Sequence, residues 1–181
     1  MKAPWTLASL ILSLVVALLP FYWWEYDYGG LMVIYSSPFY VSIYLLGTLL
    51  KWSYVISAAL EASRILLIIS LARDIYLVVR KGQVVTNWAV MSICIQYLIY
   101  PVIYYFLVSY ISYSPLGIHI INYSFLEIGS EVVHMNVRGA NMVSVFTYSP
   151  STTYWFALAV GLLSIPSYLE SKREKKKSGN A

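Results

Sequence analysis

The sequence predicts an all-α membrane protein: a four-transmembrane-helix bundle with a small extracytoplasmic antiparallel β-meander between helices 3 and 4. Three observations lead there. Of 181 residues, 60% are hydrophobic and only 11% charged, with mean hydropathy +0.69; soluble domains run near 45–50% apolar and roughly 25% charged. The stretch 37–81 stays almost continuously apolar while carrying Lys51, Glu61, Arg64, Arg73 and Asp74. It is longer than a soluble core helix, and lipid tolerates such charges only when they are paired or snorkelling. Residues 112–151 form the only stretch long and polar enough to fold outside lipid.

The chain, 1–181, reads as a single integral membrane domain. The first span, 5–22, carries no charge and closes on the aromatic belt Phe21, Tyr22, Trp23 and Trp24. Its apolar run exceeds that of a signal peptide and no A-x-A-like site precedes the belt, so it is expected as a retained helix. Lys2 before it, with only Glu25 and Asp27 after it, places the N-terminus in the cytoplasm. Ser37-Pro38 reads as an N-cap followed by proline in a first helical turn. One helix from there to Val79 would be about 60 Å long, twice the hydrocarbon thickness. Lys51 and Arg73 are therefore read as boundaries of a span 52–72, with flanking extensions 38–50 and 75–79. The alternative is two spans, 39–60 and 65–79, which would put the basic C-terminal tail outside, against the positive-inside rule.

Arg80-Lys81-Gly82-Gln83 is a polar, cytoplasmic break before a third span, 88–110, kinked at Pro101. Strand-like runs follow at 119–128, 131–137 and 142–148. They are separated by Gly129-Ser130 and by Arg138-Gly139-Ala140-Asn141, and together give the meander. Ser149-Pro150-Ser151-Thr152 caps the last span, 154–168. The tail 171–181, with Lys172, Arg173, Lys175, Lys176 and Lys177, is expected to be disordered and cytoplasmic, facing anionic lipid and not nucleic acid.

Glu61 and Arg64 stand three residues apart, on neighbouring helix faces near mid-bilayer, and so can neutralise one another. They serve either as a structural bridge or as a proton, ion or headgroup site. Arg73 and Asp74 are adjacent and should point apart. Outside the bilayer, His119, Glu127, Glu131 and His134 are the plausible metal ligands, but they lack HxH or HxxxH spacing and no metal is assigned. Asn122-Tyr123-Ser124 is a glycosylation acceptor pattern. The single cysteine, Cys94, excludes a disulfide within the chain and a CxxC redox pair. There is no GxSxG, P-loop or GxGxxG, and the two aspartates, Asp27 and Asp74, fall on opposite sides. No cofactor is implied, although Trp52, Tyr54, Trp88, Tyr97, Tyr100, Tyr104 and Tyr105 would line a quinone or lipid pocket if they are not ordinary belts. Eighteen tyrosines and few thermolabile side chains suit a thermophile.

The expectation for function is a non-catalytic accessory or organising subunit of a larger membrane complex, a respiratory one for example. The alternatives are a small ion or proton channel or carrier working through Glu61 and Arg64, and a quinone- or lipid-handling enzyme subunit. The expected partners are membrane lipids and other membrane subunits or further copies of the chain. The expected place is the cell membrane, multi-pass, with both termini cytoplasmic.

Overall fold

Alternation decides the structure of residues 24–49. Trp24, Tyr26 and Tyr28 are buried while Glu25 and Asp27 between them are not, the period of two of a strand with one covered face. The computed structural model describes residues 4–112, 118–122, 128–137 and 139–178. In it this stretch forms β1 (Trp24–Tyr28), β2 (Met32–Ser36), β3 (Val41–Leu45) and β4 (Thr48–Leu49), correcting both the short loop and the 38–50 helical extension. The turns explain why. Gly29 and Gly30 take positive φ, and Leu46 and Gly47 both do so as a two-residue type I′ hairpin turn requires. Ser37 Oγ accepts from the N–H groups of Phe39 and Tyr40 at 3.2 and 3.1 Å. The same hydroxyl chemistry that caps a helix here closes the β2–β3 turn.

The remaining strands are β5 (Ile118–Asn122), β6 (Gly129–Val137) and β7 (Ala140–Pro150). They do not stand alone as a meander. All seven strands form one antiparallel sheet in the order β4-β3-β2-β1-β7-β6-β5, joined at its centre by β1 and β7, where Trp24 faces Pro150 and Tyr28 faces Phe146. The fold is therefore mixed, helices plus a sheet, and the all-α four-span bundle is overturned.

The helices are α1 (Pro4–Leu18), α2 (Trp52–Lys81), α3 (Ala89–Ser112), α4 (Thr152–Leu162) and α5 (Ser164–Ser178). Among the described residues only two helical stretches are long and apolar enough to cross a membrane, Trp52–Lys81 and Thr152–Glu174. That supports membrane association at the coarsest level. α2 ends where Gly82 adopts φ +63 and its N–H returns to the Leu77 carbonyl. Ser151 caps α4, accepting from Tyr154 N at 3.4 Å. The α4–α5 break at Leu163 follows from Pro166, which has no N–H to offer the carbonyl one turn before it. α5 then continues to Ser178, so the described part of the basic tail is helical where disorder was expected.

Four of the five helices join the sheet at one end, α1 and α3 by their C-termini and α2 and α4 by their N-termini. α1 packs on α2, α4 and α5, and α3 packs on α4. At the opposite, far end, α5 returns to the start of α1, where Thr6 N and Thr6 Oγ1 both donate to Glu170 Oε2 at 2.9 Å. The core lies between the sheet's inner face (Trp24, Tyr26, Ile34, Tyr148) and Val16, Tyr97 and Tyr154 from the helices.

Candidate functional site

α1 contributes no acid to its first turn and no base to its last, so its terminal carbonyls need partners from elsewhere. Arg64 supplies them. Its Nε donates to the Ala17 carbonyl at 2.6 Å and Nη2 to the Leu18 carbonyl at 2.7 Å. Nη1 reaches the Glu61 carboxylate at 3.2 Å, and the guanidinium sits 5.5 Å from the Phe39 ring centroid. The Arg64 side chain is 15% exposed and that of Glu61 47%. The cation is thus committed to a helix end, where the dipole favours it, while the acid is half open. Glu61 and Arg64 are the tenth and thirteenth of the 30 residues of α2, level with the end of α1.

Arg73 and Asp74 meet at 3.4 Å although adjacent in sequence. Asp74 is buried and also accepts from Asn87 Nδ2 at 3.1 Å, while Asn87 Oδ1 accepts from Ala89 N at 2.9 Å. Asp74 therefore orders the start of α3, and Arg73 lies mostly in the open. Lys51 immediately precedes α2 and is exposed.

The proposed metal ligands are not gathered. Glu131 and His134 point to opposite faces of β6, since Glu131 shares the side of buried Val133 and Met135 while His134 pairs with exposed Val143. His119 stands opposite Asn136 in the β5–β6 register. Glu127 lies outside the described residues. No cluster of metal-ligating side chains occurs among those described. Asn122 ends β5, facing His134, and Tyr123 and Ser124 of its acceptor pattern are outside the described residues.

The aromatic candidates are likewise dispersed. Trp52 is 72% exposed at the sheet end of α2, Trp88 packs on Tyr168 with centroids 5.8 Å apart, and Tyr97 is buried against Trp23 at 5.3 Å. Tyr105 packs on Phe106, and Tyr100 and Tyr104 lie along α3. What the sequence did not announce is a cavity of about 300 Å³ between α2 and α3. Leu60, Ser63 and Leu67 form one wall, Ile93, Gln96 and Tyr97 the other, and Pro38 and Phe39 close the sheet end. The only available signal was the spacing of Leu60, Leu67 and Asp74, which repeats every seven residues along one side of α2. The chain matches no known protein family, no curated protein and no solved structure.

Proposed function

We propose that the protein is a non-catalytic accessory subunit of a larger complex in the cell membrane. In this reading α2 and α4–α5 cross the bilayer, with the sheet at their extracytoplasmic end and the basic ends of α2 and α5 on the cytoplasmic side. The observation that carries it is the surface of α2. Of its 30 residues only Ser53, Leu71 and Asp74 are buried, and Val55, Ile65, Leu66, Ile69 and Val79 are exposed. Water would leave that face an aggregation hazard, whereas hydrocarbon solvates it.

Charge supports the orientation. Arg80, Lys81, Lys172 and Arg173 are exposed at the far end, and Glu25 and Asp27 lie in the sheet. The buried charges favour an organising role over a conducting one, because Arg64 is committed to the end of α1 and Asp74 to Asn87. On the outer face of the sheet, exposed Val132, Val143 and Val145 offer apolar contact to a partner.

Purification of the tagged full-length chain in mild detergent tests the reading. Partner subunits at fixed stoichiometry are expected. A homo-oligomer that conducts ions in liposomes, and loses that flux on Glu61→Gln, would replace the accessory role with a channel.

A further inference from the structure

We infer that the slot between α2 and α3 is a lipid-binding site that takes one hydrocarbon chain, with the lipid's carbonyl or hydroxyl group meeting Gln96. This rests on the membrane reading above. α2 packs on α1 and β3, α3 packs on α4 and β5, and between α2 and α3 the bundle stays open. The volume, about 300 Å³, falls at the small end of ligand pockets. Phe39, Leu60, Leu67 and Ile93 make the walls apolar.

Three polar side chains interrupt those walls, of which Tyr97 turns its hydroxyl to Ser36 Oγ at 3.4 Å. Ser63 Oγ donates to its own helix at the Leu60 carbonyl, 2.6 Å away, which leaves its lone pairs to accept. Gln96, an exposed residue, lines the slot and has no hydrogen-bond partner among the described residues, so its amide has both a donor and an acceptor to offer an occupant. An amide facing hydrocarbon without a partner is costly. An occupant with both an aliphatic chain and a polar group near its end satisfies walls and amide together.

The shape of the slot discriminates between a lipid and a partner helix. Pro38 and Phe39 close it at the sheet end, and the Asp74–Asn87 bond ties α2 to the start of α3 at the far end. A helix about 10 Å across, running the depth of the bilayer, cannot thread a slot closed at both ends. A flexible chain enters from the side.

The test uses the purified full-length protein in phospholipid nanodiscs doped with a phospholipid bearing a photoactivatable diazirine on its acyl chain. Separate samples are irradiated before and after exchange into lipid-free detergent, and the residues cross-linked in each are mapped by mass spectrometry. Adducts at Leu67 and Ile93 are expected to survive the exchange, while those at Leu66 and Ile69, on the outer face of α2, disappear. Leu67→Trp should fill the slot and remove the surviving adducts. Gln96→Leu, at an exposed position that leaves packing intact, should lower their retention about five-fold, the equivalent of one hydrogen bond. Adducts lost everywhere in parallel, or surviving unchanged in Gln96→Leu, would overturn the site while leaving the membrane reading in place. Absence of adducts even at Leu66 and Ile69 before exchange would sink the membrane reading and the lipid site with it.

Discussion

Ser57 occupies the place of a missing strand at the edge of β3. Its Oγ accepts from Val41 N at 3.0 Å and donates to the Val41 carbonyl at 2.8 Å, while Ser53 Oγ, one turn earlier, accepts from Ile43 N at 3.0 Å. The spacing of four residues puts both hydroxyls on one side of α2, and they blunt an edge that would otherwise template pairing with another chain. Ser57→Ala leaves a half-buried N–H and carbonyl unpaired together, so a loss of about 1–2 kcal/mol is expected in reversible unfolding; an unchanged midpoint would show that water replaces the hydroxyl. Arg64 and Glu61 make an unequal pair by the same reasoning. Arg64→Ala removes two charge-assisted bonds to carbonyls and should cost roughly 2–3 kcal/mol. Glu61→Gln touches a half-open surface contact and should cost under about 1 kcal/mol. Equal losses in denaturant melts would contradict the assignment of Arg64 to the end of α1. Tyr35 adds a pH dependence outside the helical layer. Burial first, and then the Glu25 carboxylate opposite it in the β1–β2 register, hold its phenol above the ordinary 10.0. The unfolded chain then gives up this proton first, so the contribution to stability is complete below pH 10 and shrinks as pH rises toward the folded-state value. Glu25→Gln should move the Tyr35 titration back toward 10.0, read as the tyrosinate absorbance difference against Tyr35→Phe.

α1 shows how an element can be stable without carrying its own caps. A carboxylate from α5 sits at its N-terminus and a guanidinium from α2 at its C-terminus, each against the dipole end that favours it. Glu170→Gln and Arg64→Ala act at opposite ends of a 15-residue helix, so their effects on stability should add within about 0.5 kcal/mol. Amide exchange in α1 should speed up in each variant, whereas the sheet should stay protected. α3 and α4 depend on close approach instead. A Cβ at Gly161 would lie 3.1 Å from Met91 Cα, a backbone atom with little room to yield. Gly161→Leu is therefore expected to cost about 1–3 kcal/mol by overpacking, seen as a lower thermal midpoint. The end of α2 and the start of α4 were legible because their signals, Gly82 and Ser151, are local. The break at Leu163 was not, since 154–168 reads as one apolar run through Pro166. Nor were the strands at 24–49. Tyr35 and Tyr44 place aromatic rings on the outer face of the sheet, packed at 6.0 Å, while Ile34 and Ser36 are buried on the other. With apolar side chains on both faces, β2 and β3 read as continuous greasy sequence with no period of two. Ser37-Pro38 completed the misreading, since a serine that accepts from nearby N–H groups serves a turn as well as a helix start.

At the scale of the whole molecule, the pairing of β1 with β7 joins opposite ends of the chain, and nothing in local periodicity specifies such a partner. The candidate site was hidden for the same reason. Leu67 and Gln96 acquire a shared purpose only when α2 and α3 diverge between Phe39 and the Asp74–Asn87 bond. What composition could convey was an excess of apolar surface and a bias in where the charges fall. Those two features make a prediction about the intact protein. The sheet grows from one end of the helical layer, and the Thr6–Glu170 contact lies at the other, so on the membrane reading proposed above a bilayer around α2 and α4–α5 would separate them. Cys94, the only cysteine, is buried, which makes site-specific labelling clean. In sealed cells, Ser130→Cys, on the exposed side of β6, should react with a membrane-impermeant maleimide, and Lys172→Cys, on α5, should react only after permeabilisation. Reaction at both positions in sealed cells would mean that the basic end and the sheet share one side, and that the exposed face of α2 meets another protein chain in place of lipid.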